Sequence, residues 1–282
     1  MGKRKKSRLK AVLVIIVALF ALDVCRYFVY PDVSVLKKEN PKTTAMMELR
    51  EREWEREGKD IKIRRVWTPL SRISPYLVKA VLIGEDDKFW SHEGFDVEGM
   101  EKALEKDIEK RRLRSGGSTI SQQLAKNLYL SPSRNPVRKV KEAILTWRME
   151  RALSKRRILE IYLNVAEWGE GVFGAEAAAR RWYGKSAASL GPEEAARLAA
   201  VLPNPRKHSP VNPDRYTTNR SRVIYRVMVR RGVVLPDYDE VMSQPEEATA
   251  PAATPDAASS PDTGADKTPD WFTASPMGAV VK

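Results

Sequence analysis

Three consecutive carboxylates, Glu85 to Asp87, follow the apolar run Leu77 to Ile83 after Gly84. Carboxylates beside apolar residues cost free energy unless they are solvated, paired or used in a reaction. Partial burial would raise the pKa of Glu85, and a carboxyl group with a raised pKa is suited to act as a general base. An acidic turn at the end of a helix explains the same residues without any chemistry, so both interpretations stay open from this segment alone.

A pair of glycines, Gly116 and Gly117, precedes Ser118, Thr119 and a helical pattern. Free amide groups at a helix N-terminus attract anions together with the helix dipole. Three residues of the next turn can also donate hydrogen bonds, namely Gln122, Gln123 and Lys126. Helix capping accounts for the two hydroxyl groups, whereas the glutamine pair and the lysine favour a bound ligand.

A basic segment lies farther along the chain, between Arg134 and Glu142. Arg138 and Glu142 are one helical turn apart, so an ordinary ion pair worth about 0.3–0.5 kcal/mol explains them. Arg134, Arg138 and Lys139 suit a phosphate group equally well, because arginine binds phosphate bidentately and lysine binds it as a point charge.

The order of the motifs is more specific than any one motif. They are EDDKFWSHEGFD at 85–96, GGSTISQQLAKN at 116–127, RKVKE at 138–142, KRRILEIYLN at 155–164 and EAARLAAVLPNP at 194–205. With these motifs the sequence resembles the family 51 glycosyltransferases, the peptidoglycan polymerases, over about residues 67–210. The resemblance implies a mainly α-helical, lysozyme-like glycosyltransferase domain.

The resemblance also implies an activity, which is to join lipid II units into glycan strands. The growing strand would pass from its undecaprenyl pyrophosphate carrier to the GlcNAc 4-hydroxyl of lipid II, with inversion and a β-1,4 product. The resemblance implies no tightly bound cofactor and no protein metal site, and it allows Mg²⁺ or Mn²⁺ at the substrate pyrophosphate. It makes the membrane a partner, allows cell-division or elongation proteins, and gives no reason to expect nucleic acid.

Roles are carried over residue by residue. The resemblance places the general base at Glu85. It assigns to Glu142 the role of a second glutamate that supports the donor phosphate or the transition state. Asp86 matches an acidic residue that orients other groups. The donor-side basic positions are matched by Lys126, Arg134 and Arg138, and weaker candidates for the same lining are Ser118, Gln122, Gln123 and Lys139. These residue types suit the reaction, because a sugar hydroxyl needs a base whereas a departing pyrophosphate needs positive charge.

The ends of the chain differ from the middle in composition. Residues 1–10 carry six Lys or Arg and are predicted to be cytoplasmic, and residues 11–30 read as a transmembrane anchor. A cleaved signal peptide is the alternative for this segment, although it lacks an A-x-A site. Residues 31–242 would form the glycosyltransferase domain, and residues 243–282, rich in Ala, Pro, Ser and Asp, are predicted to be disordered. The catalytic domain would face outward from a bacterial cytoplasmic membrane.

Helical spacing dominates the middle of the chain. Val140, Ile144 and Trp147 form one apolar stripe, and Val223 and Val227 belong to another; both are predicted to lie in the core. A helix is predicted to open at Pro192 and to end at Pro203, with Ala195, Leu198, Ala199 and Leu202 on its buried face. The stretch Ile61–Ile63 is the only obvious hint of a strand.

Composition narrows the choice of function. Lys and Arg total 50 against 37 Asp and Glu. The resulting formal charge of +13 predicts that the protein binds a polyanion or a phosphorylated substrate. One cysteine excludes an intramolecular disulfide, and two histidines leave little material for a histidine metal site.

Two alternative functions remain. A lysozyme-like lytic enzyme would share the fold, but it needs two carboxyl groups around a neutral bond and no cations for a phosphate. A membrane-anchored polyanion-binding module would explain the charge but neither Glu85 nor Glu142. A bifunctional penicillin-binding protein is excluded, since no S-x-x-K followed by K-T-G comes after the glycosyltransferase motifs.

Overall fold

Helices carry most of the described chain, as the sequence predicts. The computed structural model describes residues 2–99, 101, 117–130 and 136–234. Its α-helices are α1 Gly2–Cys25, α2 Ala45–Arg56, α3 Pro75–Glu85, α4 Ile120–Tyr129, α5 Pro136–Ala152, α6 Lys155–Val165, α7 Ala175–Tyr183, α8 Pro192–Val201 and α9 Arg215–Arg230. The mainly α-helical prediction is confirmed. Arg134 and the predicted tail 243–282 lie outside the described residues, and the predicted domain boundaries stay predictions.

A small three-stranded sheet accompanies the helices. Strand β1 is Arg64–Arg65, β2 is Glu167–Gly169 and β3 is Val172–Phe173. The central strand β3 pairs in parallel with β1 and antiparallel with β2. The strand hint at 61–63 falls just before β1. The β2–β3 hairpin escaped prediction because all of its strand residues are buried, so no alternation of polar and apolar residues marks the strands.

The helices that surround the cavity described below pack through small and apolar residues. Helix α3 packs against α8 and α9, and α4 packs against α5 and α6. Leu77 and Ala80 of α3 and Leu198 and Ala199 of α8 are fully buried. Alanine at the contact lets two helices approach closely, so the end of α3 is held firmly against its neighbours. The predicted helix from Pro192 and its buried face are confirmed, except that Leu202 is only half-buried.

The N-terminal helix is apolar and exposed. Within the described residues, Leu13–Lys37 is the one helical stretch that is long and apolar enough to cross a membrane. Its most apolar part has a mean hydropathy of 2.1 and is not buried, whereas Val33 and Leu36 near its end are buried. Asp23 and Arg26 form an ion pair at 3.1 Å. These features fit the predicted anchor.

Helix α5 holds the end of α1 and the chain that follows it. Lys141 forms an ion pair with Asp23, and the Arg148 guanidinium donates hydrogen bonds to the backbone carbonyls of Tyr27 (2.8 Å) and Val29 (2.7 Å). The Trp147 ring packs edge-to-face on Phe28, with 6.4 Å between centroids. The end of the apolar segment is therefore fixed to α5 rather than joined to it by a loose linker.

Two predicted core stripes were partly wrong. Val140 and Trp147 are 51% and 44% exposed, and only Ile144 of that stripe is buried, because this side of α5 lies toward the anchor segment. Val223 is 52% exposed, and α9 instead buries Ile224 and Met228. Apolar spacing located both helices but chose the wrong side as the one that faces the core.

The entry into α7 requires glycine. Gly174 has φ of +86°, and a Cβ atom there would lie 2.8 Å from the backbone carbonyl oxygen of Asn164. The Asn164 side chain accepts a hydrogen bond from the Thr68 amide (2.7 Å) and donates to the carbonyl oxygens of Thr68 and Glu160. Asn164 thus fixes the local backbone.

Replacement of Gly174 by alanine should lower the free energy of unfolding by about 2–4 kcal/mol, because both the backbone conformation and the space are restricted. Gly184→Ala is the matched control, since Gly184 has φ of +67° but nothing within 4 Å of the added carbon. That change should cost only about 1 kcal/mol. Urea unfolding of the detergent-solubilised protein measures both, and an equal cost for the two variants would contradict the steric argument.

Candidate active site

A cavity of about 570 Å³ is lined by side chains from four helices, α3, α4, α5 and α9. Seven of the predicted site residues line it, namely Glu85, Ser118, Gln123, Lys126, Arg138, Lys139 and Glu142. The first three motifs of the sequence therefore meet in one place. Arg134 lies outside the described residues, and Asp86 and Gln122 do not line this cavity.

Glu85 ends helix α3, and its side chain is only 8% exposed. Arg220 Nη2 donates a hydrogen bond to one carboxylate oxygen, and Gln123 Nε2 donates to the other, both at 2.9 Å. The Tyr162 hydroxyl in turn donates to Gln123 Oε1 at 3.0 Å, which fixes the orientation of the amide. The carboxylate is thus held in one position at the cavity wall.

Burial raises the pKa of Glu85 above its ordinary value. The hydrogen bond from Gln123 and the charges of Arg220 and Lys126 oppose this shift without cancelling it. A carboxylate with a raised pKa, fixed in a cavity, is suited to accept a proton from a bound hydroxyl group.

Lys126 provides a half-buried cation in the same cavity. Among the residues that the structure describes, its ammonium group has no hydrogen-bond or ion-pair partner. Burial lowers the pKa of Lys126, nearby Glu142 raises it, and the charges of Arg138 and Lys139 lower it further. An ammonium group without a carboxylate partner is a candidate for binding an anionic ligand.

Glu142 organises the remaining cations. Its side chain is 3% exposed and accepts a hydrogen bond from Arg138 Nη1 at 2.9 Å and another from Lys139. Lys139 Nζ also donates to Ser118 Oγ at 3.3 Å. The spacings of three and four residues place all three side chains on one side of α5. Four cations and two carboxylates line the cavity, so it carries an excess of two positive charges.

Comparison with known proteins identifies the enzyme class. The transglycosylase family matches residues 54–229, which include every residue that lines the cavity. The chain belongs to the transglycosylase family. The predicted family and the prediction of an enzyme are thereby confirmed.

Several relatives of this transglycosylase are similar over most of their length. A biosynthetic peptidoglycan transglycosylase of Aromatoleum aromaticum is 50% identical over 218 residues, which cover 76% of this chain and 94% of the relative. Proteins of the same name from Azoarcus sp. and Dechloromonas aromatica are 53% and 55% identical. These matches cover 68% and 59% of this chain, and 84% and 72% of the relatives.

Two predicted site residues of the transglycosylase hold the scaffold instead of lining the cavity. Asp86 accepts a hydrogen bond from the Ile120 amide at 2.8 Å and lies 2.9 Å from His92 Nε2. Gln122 accepts from the Thr119 amide at 3.0 Å in a capping box. Both interactions fix the first turn of α4, the helix that carries Gln123 and Lys126. Thr119 caps this helix, so the capping interpretation of the Ser118–Thr119 motif is correct for Thr119.

Sequence reasoning missed part of the cavity wall. Arg220 and Tyr216, one turn apart on α9, line the cavity, as do Leu202 and Pro203 at the end of α8. Helix α9 also carries Arg215, Arg222, Arg226 and Arg230. Only the packing of α9 against α3 shows which of these arginines reaches Glu85. The i, i+4 spacing of Tyr216 and Arg220 was the one available signal.

The donor set does not fit a resident metal ion. Each carboxylate that lines the cavity is already paired with a cation of the protein. Within the described residues, no group of three or more His, Cys, Asp or Glu could hold a metal ion. The divalent cation that the sequence analysis allows would have to bind through substrate oxygens, and it stays a prediction.

Replacement of Asp86 by alanine should lower the free energy of unfolding by about 2–4 kcal/mol, since two buried partners lose a charged acceptor. Asp87→Ala is the matched control, because the neighbouring carboxylate is 48% exposed and bound to exposed Arg231. It should cost at most about 1 kcal/mol. Urea unfolding monitored by tryptophan fluorescence checks both. If Asp86→Ala abolished activity at unchanged stability, Asp86 would act in the chemistry instead.

Proposed function

We propose that this transglycosylase is a peptidoglycan glycosyltransferase that polymerises glycan strands from lipid II. The growing strand, linked to undecaprenyl pyrophosphate, is the donor, and the GlcNAc 4-hydroxyl of lipid II is the acceptor. One observation supports this most directly. A buried carboxylate with a raised pKa, Glu85, shares a cavity with cations that suit a pyrophosphate.

The reaction uses these groups in separate roles. The acceptor oxygen attacks the anomeric carbon of the donor, and Glu85 takes the hydroxyl proton as the new bond forms. The bond from the anomeric carbon to the pyrophosphate oxygen breaks, and its electron pair leaves with the pyrophosphate. Displacement from the opposite face converts the α-linked donor into a β-1,4 product. No general acid is required, because pyrophosphate is a good leaving group once its charge is stabilised.

Positive charge in the cavity supports the departure of the pyrophosphate. A pyrophosphate diester carries about two negative charges, which matches the excess of two positive charges on the wall. Lys126 offers an ammonium group without a carboxylate partner among the described residues. Arg138 and Lys139 are positioned by Glu142, which therefore supports the phosphate site indirectly. Arg134 would extend this set, as the resemblance implies.

The pairing of Glu142 with Arg138 and Lys139 argues against a lytic function. A glycosidase needs a second carboxyl group that is available as nucleophile, base or acid. Glu142 is the other glutamate on the cavity, and it is engaged by two cations. The word "biosynthetic" in the names of the relatives supports the same choice.

The location follows from the substrates. Both lipid-linked sugars lie at the membrane, and an anchored enzyme would meet them at a raised effective concentration. The exposed apolar stretch Leu13–Lys37 supports a single membrane span. The basic start favours a cytoplasmic N-terminus, with the cavity outside a bacterial cytoplasmic membrane. Cell-division or elongation proteins stay expected partners.

Glu85→Gln should abolish polymerisation of lipid II while binding of the lipid-linked donor is retained, because the amide cannot accept the proton. Lys126→Ala should instead weaken donor binding by at least about tenfold, since a buried charge interaction is lost. Gel analysis of glycan products measures turnover, and titration of a labelled donor measures binding. Glu193→Gln, at an exposed glutamate of α8, is the control and should behave as wild type.

Turnover in Glu85→Gln close to that of the wild type would refute the general-base role. A wild-type protein that only shortened finished glycan would refute the polymerase and favour the lytic alternative.

The acid limb of the pH profile should reveal the raised pKa of Glu85. The base works only when ionised, so kcat/KM should fall as the pH drops through this pKa, at a higher pH than an ordinary glutamate would give. Arg220→Met removes a charge that lowers the pKa of Glu85, so it should move the limb to still higher pH. Arg222→Met, at an exposed arginine of the same helix, should leave the limb in place. A limb that did not move in Arg220→Met would contradict the assignment.

A further inference from the structure

An apolar part of the cavity wall has no role in the reaction described above. It consists of Leu202, Pro203 and the ring of Tyr216, which is 43% exposed. Leu202 and Pro203 directly follow α8, and Tyr216 lies in the first turn of α9. The cations Lys126, Arg138 and Lys139 come from α4 and α5 instead. The cavity therefore has one wall suited to phosphate and another suited to an uncharged group.

The Tyr216 ring is held in place by a chain of contacts. It stacks on the His208 ring with 4.5 Å between centroids and 22° between planes. His208 Nδ1 lies 2.7 Å from one oxygen of Asp214, and the other oxygen of Asp214 accepts the Thr217 amide hydrogen at 2.8 Å as the N-cap of α9. The Thr217 amide is the main cause that lowers the pKa of Asp214 to about 2, so this carboxylate stays ionised at neutral pH.

The ring lines the same cavity as the proposed proton acceptor, Glu85. Tyr216 and Arg220 are four residues apart on α9, so their Cβ atoms are about 5–6 Å apart on one side of the helix. Arg220 Nη2 is 2.9 Å from the Glu85 carboxylate and 2.6 Å from the Gly84 carbonyl oxygen. A hexose ring has a similar width. A sugar that rests against Tyr216 can therefore present a hydroxyl group to Glu85.

We propose that Tyr216, backed by His208, is the stacking platform for the acceptor sugar whose hydroxyl group Glu85 deprotonates. This inference rests on the proposed function and assigns the acceptor side of the same cavity. The face of an aromatic ring is electron-rich and attracts the weakly positive C–H groups on the face of a pyranose. Leu202 and Pro203 add apolar surface beside it. The donor pyrophosphate is favoured at the other wall, because Arg220, the cation that lines the cavity one turn from Tyr216, is engaged with Glu85.

The test separates acceptor from donor. A preformed undecaprenyl-pyrophosphate-linked tetrasaccharide serves as saturating donor, and lipid II is titrated as acceptor with the detergent-solubilised full chain. Tyr216→Ala should raise the KM for the acceptor about three- to tenfold at nearly unchanged kcat, the range expected for one aromatic contact. Tyr216→Phe should match the wild type, because the ring and not the hydroxyl group makes the contact. His208→Ala should give a smaller rise, since the ring loses its support.

Val223→Ala, an exposed position on the same helix, is the control and should leave both KM values unchanged. In Tyr216→Ala the KM for the tetrasaccharide donor should also stay unchanged. An unchanged acceptor KM in Tyr216→Ala would overturn the inference, and so would a rise confined to the donor KM. A wild-type chain that formed no polymer would refute the proposed function itself, and that result is visible before any variant is compared.

Discussion

The site depends on keeping opposite charges apart within one cavity. Glu85 and Lys126 both line it, yet the carboxylate is bound by Arg220 and Gln123, and Lys126 has no ion-pair partner within the described chain. Glu142 is bound by Arg138 and Lys139. A direct pair between Glu85 and Lys126 would lower the pKa of the proposed base and neutralise the proposed phosphate site. Each glutamate instead has its own partners, which is compatible with both proposed roles.

This sorting of charges requires rigid helix placement. Glu85 lies at the end of α3, Gln123 and Lys126 on α4, and Arg220 on α9. The buried alanines between α3 and α8, together with the bond from Asp86 to the start of α4, fix these helices relative to one another. Asp86 is adjacent to Glu85 in sequence but binds the start of α4 and His92. Neighbouring carboxylates of one motif therefore have different partners, and the direction of each side chain decides which.

The sequence predicted what depends on local pattern and residue type. The helical class, the helix from Pro192 and the convergence of Glu85, Lys126 and Glu142 could all be expected from spacing and from the resemblance. The exposure of Trp147 on α5 could not be predicted, because its packing partner, Phe28, lies more than a hundred residues earlier in the chain. Arg220 was missed for a similar reason, since several arginines of α9 look alike until the helix is packed.

Helix α5 links the proposed phosphate site to the predicted anchor. Arg138 and Lys139 near its start line the cavity. Farther along, Lys141 binds Asp23 at the end of α1, and Arg148 binds the chain that follows it. Ten residues separate Arg138 from Arg148, a distance of about 15 Å along a rigid rod. In the proposed reaction the pyrophosphate stays near the bilayer surface, because its lipid is embedded there. A flexible tether would leave the height of the cavity above the bilayer undefined, whereas this helix would set it relative to the end of the predicted membrane span.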